Sequence, residues 1–449
     1  LHSGVKYIGD EAFRNCGSLA RVTILDGTGE NITELELGNN VFQGCDELVE
    51  VTLPTRMRKA GSGLFKGCKL LENVVIPEGV TELGDEAFSA SSDFSKNYLK
   101  TVSLPSTLEK FGTYKTVNDI ETLVSLNAFM GCDYLEEIRV AEGNTKFFTN
   151  DGILYNKVYD DNFKTEVQQL IVCPAGKVGT ANVIANVTKV WANAFKNNTE
   201  TTEVVFAPST MENYSLEIGE NAFAGCKKLT KISLPEGLKE IPLYTFKDCS
   251  SLEEVVIPST VEKIHAYGKV NGFSAYGAFY NCAKLKTVTF APTPAGQTPV
   301  SLEIADGYLY GDNYGNTYVY SAFTNCPSLT EITFPERTIK IGDATFAHNK
   351  TIKKVTLPST LQTLGEKVFY TAKGLEEVVF EEGENGSSLK DIPAYAFAFS
   401  GLKKLTLPEG LENLYYQAFG YCSELTSVTI PSTVKVLGVA IGTYSVGYT

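Results

Sequence analysis

The chain has 449 residues, 43% hydrophobic and 20% charged, with a formal net charge of −14, three histidines and ten cysteines. This is enough apolar material for a large core, while the acidic balance and the lack of a Lys/Arg cluster argue against phosphate backbones and anionic lipid surfaces as partners. No apolar run approaches the roughly 18–20 residues that cross a bilayer, so no membrane span is expected in this segment.

The chain opens in mid-phrase. Val5-Lys-Tyr-Ile-Gly-Asp-Glu-Ala-Phe13 is the second half of a unit that then returns in full: Leu-x-x-Val-x-Leu-Pro, Val-x-x-Ile/Leu-Gly, Ala-Phe-x-x-Cys. Its phenylalanine stands at 13, 42, 65, 88, 129, 195, 223, 246, 279, 323, 346, 369, 397 and 419, and five of these intervals are 23 residues long. A unit of that length cannot bury an apolar face alone, so successive units must dock on one another around one continuous core. The cleanest copy ends at Phe88. Val74 and Ile76 lie two apart on one side of a short strand, with Val75 facing the other way. Pro77 lacks a ladder donor and stops that strand. After Gly84, Asp85 is expected to cap one helical turn that points Ala87 and Phe88 inward. Each coil is thus expected to comprise one strand, one bend and one short helical turn. The fourteen marked coils, with about two more between Phe129 and Phe195, predict about 16 coils along a rod of about 80 Å. The expected organisation is a single elongated domain over 1–449, with irregular coils at about 141–190 and insertions at about 89–127, 265–277 and 291–320. At the other end Val434-Lys-Val-Leu-Gly438 begins another unit, but Gly442 stands where a phenylalanine is due. The sequence is expected to be part of a longer chain.

Leu71-Glu-Asn-Val-Val-Ile-Pro77 followed by Val80-Thr-Glu-Leu-Gly-Asp-Glu-Ala-Phe88 resembles the hallmark of the BspA-like leucine-rich repeats of bacterial surface proteins, and the match covers nearly the whole chain. Asp151-Gly-Ile-Leu-Tyr155 with Leu170-Ile-Val-Cys-Pro-Ala-Gly-Lys177 is similar to an irregular coil of that family. The resemblance implies a right-handed, strand-rich α/β repeat solenoid. It also implies an extracellular or cell-surface protein of the bacterial envelope that binds other macromolecules, with no catalytic residue to carry over.

Nine of the ten cysteines fall three residues after the repeat phenylalanine, and only Cys173 is out of register. Elsewhere the slot holds Ser91, Asn198, Asn349, Ala372 or Ser400, which marks a tight interior position tolerant of a weak donor. Neighbouring coils bring such thiols close, but parallel Cβ directions disfavour disulfides, and no Cys-x-x-Cys pair proposes a metal site. His2, His265 and His348 lie in different units, and neither a Gly-x-Ser-x-Gly elbow nor a His-Glu-x-x-His helix occurs. Asp160-Asp161 and Glu381-Glu382 read as solvated loop pairs. No catalytic residue, metal ligand or cofactor is therefore predicted, and the chain is expected not to be an enzyme.

Function is expected where the period breaks. From Phe88 to Phe129 the unit gains 18 residues, including Phe94, Tyr98, Phe111 and Tyr114; from Phe246 to Phe279 and from Phe279 to Phe323 it gains 10 and 21. In the latter pair Tyr267, Tyr276, Tyr280, Tyr308, Tyr310, Tyr314, Tyr318 and Tyr320 crowd together among Gly307, Gly311, Asp312 and Gly315. Tyrosine joins a flat face to a hydroxyl at low ordering cost, which suits protein and glycan partners alike. The same alternation also fits a hairpin that merely packs, with Asp312-Asn313-Tyr314-Gly315 as its turn. A rival surface is the outward strand face. There a hydroxyl column that includes Thr52, Ser103, Thr289 and Thr333 runs beside a mixed-charge column that includes Glu50, Lys231, Glu254 and Lys354. The leading expectation is an adhesin-like or receptor-like module that binds an extracellular protein or glycan as a monomer. The alternative is a passive spacer that presents another domain.

Overall fold

The computed structural model describes residues 5–26, 33–91, 96–117, 120–270, 273–311, 317–384 and 386–439, which form two compact units, 1–201 and 202–449. In each unit a repeat contributes two short parallel strands to two separate ladders. In the first unit, Tyr7–Ile8, Leu35–Leu37, Met57–Ala60, Glu82–Leu83 and Lys110–Phe111 form one ladder in chain order. A second ladder pairs Asn73–Val75, Thr101–Leu104 and Glu137–Val140. The second unit repeats the plan, with Lys231–Ser233, Glu254–Ile257 and Thr287–Phe290 in one ladder and Glu240–Ile241, Lys263–Ile264 and Leu302–Ile304 in the other. The expected single strand is therefore half of the pattern. The second strand, at Glu82–Leu83 in the cleanest copy, has only two residues and shows no alternation in the sequence.

The strand alternation is as expected, because Val74 and Ile76 are buried while Val75 is 65% exposed. The expected helical turn is not: among the described residues there is no helix. Around most core phenylalanines the backbone instead enters the left-handed region two residues before and two residues after the ring, as at Asn40 and Gly44 (φ 55° and 71°) or Ala344 and His348 (φ 52° and 56°); at Phe88, Phe129, Phe279 and Phe323 it does so on one side only. Left-handed residues interrupt a right-handed helix. They also turn alternate N–H groups toward the next coil. Phe42 N donates to Leu64 O (3.0 Å) and Gly44 N to Lys66 O (2.8 Å), while Phe65 N donates to Ala87 O and Gly67 N to Ser89 O, both at 2.8 Å. The loop is thus a third inter-coil ladder.

That ladder holds the phenylalanines in register, and their rings stack nearly parallel. Ring centroids lie 5.4 Å apart for Phe13–Phe42, 5.4 Å for Phe223–Phe246, 5.1 Å for Phe246–Phe279 and 5.2 Å for Phe369–Phe397. Close approach of coils also fixes the glycine that ends the second strand. A Cβ on Gly84 would lie 2.3 Å from Ser62 N and 2.5 Å from Gly61 C, which no side chain tolerates.

Two arginines close gaps in the stack. Arg56 and Arg337 occupy the bend position held by Gly79, Gly237 and Gly410 in other repeats, and each follows a repeat whose own bend is lengthened, at 25–34 and 291–301. Their guanidinium groups fill the place of the displaced bend. Arg337 is 8% exposed and donates from Nη1 to Val261 O (2.5 Å) and from Nη2 to Pro258 O (2.9 Å). Arg56 donates from Nη1 to Val5 O (2.7 Å) and Thr33 O (3.1 Å). Truncation of Arg337 would take the donor from Val261 O and open a void. Arg337→Ala is expected to lower the unfolding free energy by about 2–4 kcal/mol in denaturant titration, with the core phenylalanines intact.

The irregular segment of the first unit is an antiparallel meander, Phe147–Asn150, Ile153–Asp160 and Thr165–Val172, whose last strand pairs in parallel with Val187–Val190. Asp151 at its first turn accepts from Asn182 N (2.9 Å), Asn182 Nδ2 (3.1 Å) and Lys177 Nζ (2.9 Å). Desolvation pushes this carboxyl up, but the amide and lysine bonds together outweigh it, and its pKa lies below the ordinary aspartate value of 3.8. An acid with a depressed folded pKa contributes stability that is complete above the unfolded value and is lost as pH falls through the folded one. Below pH 3.8 the melting temperature should therefore fall less steeply in Asp151→Asn than in the native protein, as differential scanning calorimetry would register.

Candidate functional site

In the second unit two hairpins leave the stack at the same corner, between the second strand and the phenylalanine loop. Tyr267–Val270 pairs with Phe273–Tyr276, and Tyr308–Gly311 pairs with Thr317–Tyr320, both antiparallel. The expected hairpin at 308–320 is present; its turn, with Tyr314, lies outside the described residues. Cross-strand register sets Tyr267 opposite Tyr276, Tyr308 opposite Tyr320 and Tyr310 opposite Tyr318. Period-two alternation places each pair on one side of its hairpin.

The tyrosines form a packed base and an outer row. Tyr276 stacks on Tyr280 at 3.9 Å and on Tyr320 at 4.5 Å. Two rings cannot share one face at those distances, so both faces of Tyr276 are covered. Tyr267 stacks on Tyr308 at 5.0 Å and meets Tyr320 edge-on at 5.6 Å, joining the two hairpins. Burial, then neighbouring phenols, push the Tyr276 and Tyr320 hydroxyls above the ordinary value of 10, so both remain neutral donors at physiological pH. Tyr308 packs on this base yet is 44% exposed, and beyond it Tyr310 and Tyr318 are 46% and 39% exposed and stacked at 6.2 Å. The cluster thus grades from packed rings through Tyr308 to displayed ones.

Sequence reasoning missed Tyr244, which holds a left-handed backbone (φ 59°) and tilts against Tyr276 at 6.3 Å. It belongs to an uninserted repeat, so nothing in the spacing draws attention to it. In the first unit Phe94 lies outside the described residues. Phe111 is fully buried, and Tyr98 stacks on Tyr134 at 4.9 Å.

The strand face carries cross-coil charge pairs, such as Lys354–Glu377 at 3.2 Å and Arg21–Glu50 at 3.4 Å, within their own ladders. Exposed pairs of this kind satisfy one another in solvent and contribute little to steering a partner. His2 lies outside the described residues; of the other two, His265 Nε2 lies 2.7 Å from Glu240, while His348 Nε2 is buried without a hydrogen-bond partner.

The cysteine slot has a specific chemistry. Cys68, Cys249, Cys282 and Cys326 each donate from Sγ to the carbonyl of the preceding repeat's phenylalanine, all at 3.1 Å. All ten cysteines are free thiols. Burial raises the Cys68, Cys132 and Cys282 thiols well above their ordinary range, which removes the reactive thiolate.

Comparison with protein families gives a match to the BspA type leucine rich repeat region, in six copies, over residues 1–115, 177–294 and 317–445. The chain belongs to the BspA-type leucine-rich-repeat family. Similar solved structures include a leucine rich cell surface protein from Faecalibacterium prausnitzii (20% identity, 85% of this chain and 78% of that one, TM-score 0.46). A leucine-rich repeat protein from Bacteroides ovatus is also similar (18%, 93% and 82%, TM-score 0.46), as is the pneumococcal vaccine antigen PcpA (16%, 97% and 71%, TM-score 0.40). Among curated protein sequences none matches this chain.

For this BspA-type repeat protein the slot chemistry makes a direct prediction. Under native conditions iodoacetamide should modify exposed Cys16 and half-buried Cys422 and leave the other eight thiols untouched until denaturant is added. Mass spectrometry showing native alkylation of Cys68 or Cys282 would contradict the buried thiol-to-carbonyl bond.

Proposed function

We propose that this chain is a non-enzymatic interaction module of the bacterial cell surface that docks an extracellular protein through Tyr308, Tyr310 and Tyr318. The observation that carries this reading is the gradation of the tyrosine cluster from packed to displayed rings. A rigid base of mutually stacked rings holds an exposed row in place, which reduces the ordering cost of binding. The pairing also favours a protein over a glycan. Rings that cover one another's faces offer edges and neutral hydroxyls rather than a run of open platforms, and such groups fit the mixed apolar and hydrogen-bonding surface of a protein. Family membership supports the surface location. The absence of an enzymatic role rests on the dispersal of the histidines and on the inert thiols.

The test is retention on arrays of purified extracellular proteins and of glycans, with Tyr310→Ala/Tyr318→Ala as the variant. A protein ligand retained by the native chain should lose about 30-fold or more in affinity, with the melting temperature unchanged. Retention of a glycan alone would overturn the choice of partner. Retention of nothing on either array would favour the passive spacer.

A further inference from the structure

Beyond the tyrosine hairpins, the phenylalanine loops of the last repeats break a rule kept elsewhere. Two residues after the core phenylalanine the backbone is left-handed, and the slot is held by residues that tolerate this: Asn15, Gly44, Gly67, Gly225, Asp248 and Asn325. In the last four repeats it is held by His348, Thr371, Phe399 and Tyr421, with φ of 56°, 56°, 58° and 59°. Bulky residues are uncommon in this region because Cβ crowds the following carbonyl. Strain kept in this way is found at sites with a task beyond folding.

The side chains so placed form one strip. Phe399 and Tyr421 stack at 4.6 Å and 7°, and they are 36% and 69% exposed. Tyr370 meets Phe399 edge-on at 5.5 Å and Tyr395 at 6.3 Å, while Tyr395 meets Tyr416 edge-on at 5.5 Å. Rings that meet edge-on do not cover one another's faces, unlike those in the stacked base of the hairpins. Three lysines flank the strip. Lys367 Nζ stands 6.0 Å over the Tyr395 ring, and Lys350 and Lys373 are exposed four residues after Phe346 and Phe369. Among the described residues none of these three pairs with a carboxylate, whereas neighbouring strand-face lysines do, as in Lys354–Glu377 and Lys403–Glu376. A chain of net charge −14 thus sets Lys367 over a ring of the strip and carries two further exposed lysines without carboxylate partners in the same repeats.

We infer that this strip is a second docking surface, and that its partner is an acidic protein segment in which apolar side chains alternate with carboxylates. The apolar residues pack against the exposed rings of Phe399, Tyr416 and Tyr421 and the carboxylates meet Lys350, Lys367 and Lys373. Four repeats at strand spacing span on the order of 15 Å, which an extended segment of about five residues covers. Recognition of this kind is salt-dependent and tolerant of sequence.

The probes are fluorescein-labelled nonapeptides alternating Glu with Phe, or Lys with Phe, and a hyaluronan oligosaccharide as the anionic glycan. The whole chain should bind the Glu-Phe peptide at least tenfold more tightly than the Lys-Phe peptide, and raising salt should weaken binding. Phe399→Asn/Tyr421→Asn installs the residue that other repeats use in this slot, so its melting temperature should match or exceed the native value while peptide affinity falls tenfold or more. Lys350→Glu/Lys367→Glu/Lys373→Glu changes only surface charge and should abolish the preference for the acidic peptide. Equal binding of both peptides, preference for hyaluronan, absence of peptide binding, or full affinity in both variants would each overturn the inference. The hairpin row is untouched by these variants, so retention through Tyr310 and Tyr318 stands or falls separately.

Discussion

The amide of the core phenylalanine, donated forward to the carbonyl one residue before the next phenylalanine, is the constraint on which the rest of this structure depends. Each such bond is worth only about 1 kcal/mol net, but its geometry sets the spacing at which the rings beneath it stack. It also explains the left-handed residues on either side of the ring. A loop that turned as a helix would direct its N–H groups back into itself, and the next repeat would meet a surface without donors. Alternating backbone hands aim the N–H groups outward along the stack, so a loop that looks irregular in outline becomes a third hydrogen-bonded ladder.

The buried polar inventory follows from that ladder. The phenylalanine carbonyl accepts locally, as from Cys45 N to Phe42 O, and retains a second lone pair directed at the next repeat. A thiol three residues after the next ring is small enough to sit among the rings and polar enough to satisfy that lone pair, as Cys68 does for Phe42 at 3.1 Å. The recurrence of cysteine as a free, reduced thiol in this slot follows from packing and from the carbonyl it satisfies. Arg56 and Arg337 apply the same accounting to the bends: where a lengthened bend pulls its backbone out of line, a guanidinium supplies the missing donors across the gap.

What could be read from the amino-acid order follows from which signals have a period. The alternation of Val74, Val75 and Ile76 and the recurrence of the phenylalanine are periodic, and both survive in the structure. The 308–320 hairpin was legible because Tyr308, Tyr310, Tyr318 and Tyr320 alternate about a glycine-rich turn. The second strand was not, because two residues cannot show alternation. The helical turn was a misreading with a physical cause. Gly-Asp-Glu-Ala-Phe carries a capping aspartate ahead of an apolar pair, which is also what an N-terminal helical turn displays, and only the cross-coil bonds decide between them. Tyr244 and the aromatic slot at Phe399 and Tyr421 sit in repeats of nearly regular length, where a search for broken period does not look.

The three ladders also determine where new chemistry can be added. A residue inserted within a strand or within the phenylalanine loop would shift every cross-coil bond beyond it. The bend after the first strand and the corner before the loop carry fewer such bonds, and most added segments leave from these two places: the bends at 25–34, 291–301 and 380–389, and the corners at 112–126, 266–277 and 306–321; five residues added between Phe88 and Leu99, within a phenylalanine loop, are the exception. The corner lies beside the exposed edge of the phenylalanine loop, so a hairpin grafted there rises next to the positions where Tyr244 and Tyr280 project. Its base can pack on them and its outer strands remain free. An aromatic residue that replaces Gly or Asn within the loop achieves display without any insertion, at the cost of backbone strain. The two routes leave different surfaces: the hairpins give a base of mutually stacked rings, and the substituted loops give one stacked pair, Phe399 and Tyr421, flanked by the edge-on contacts of Tyr370 and Tyr395.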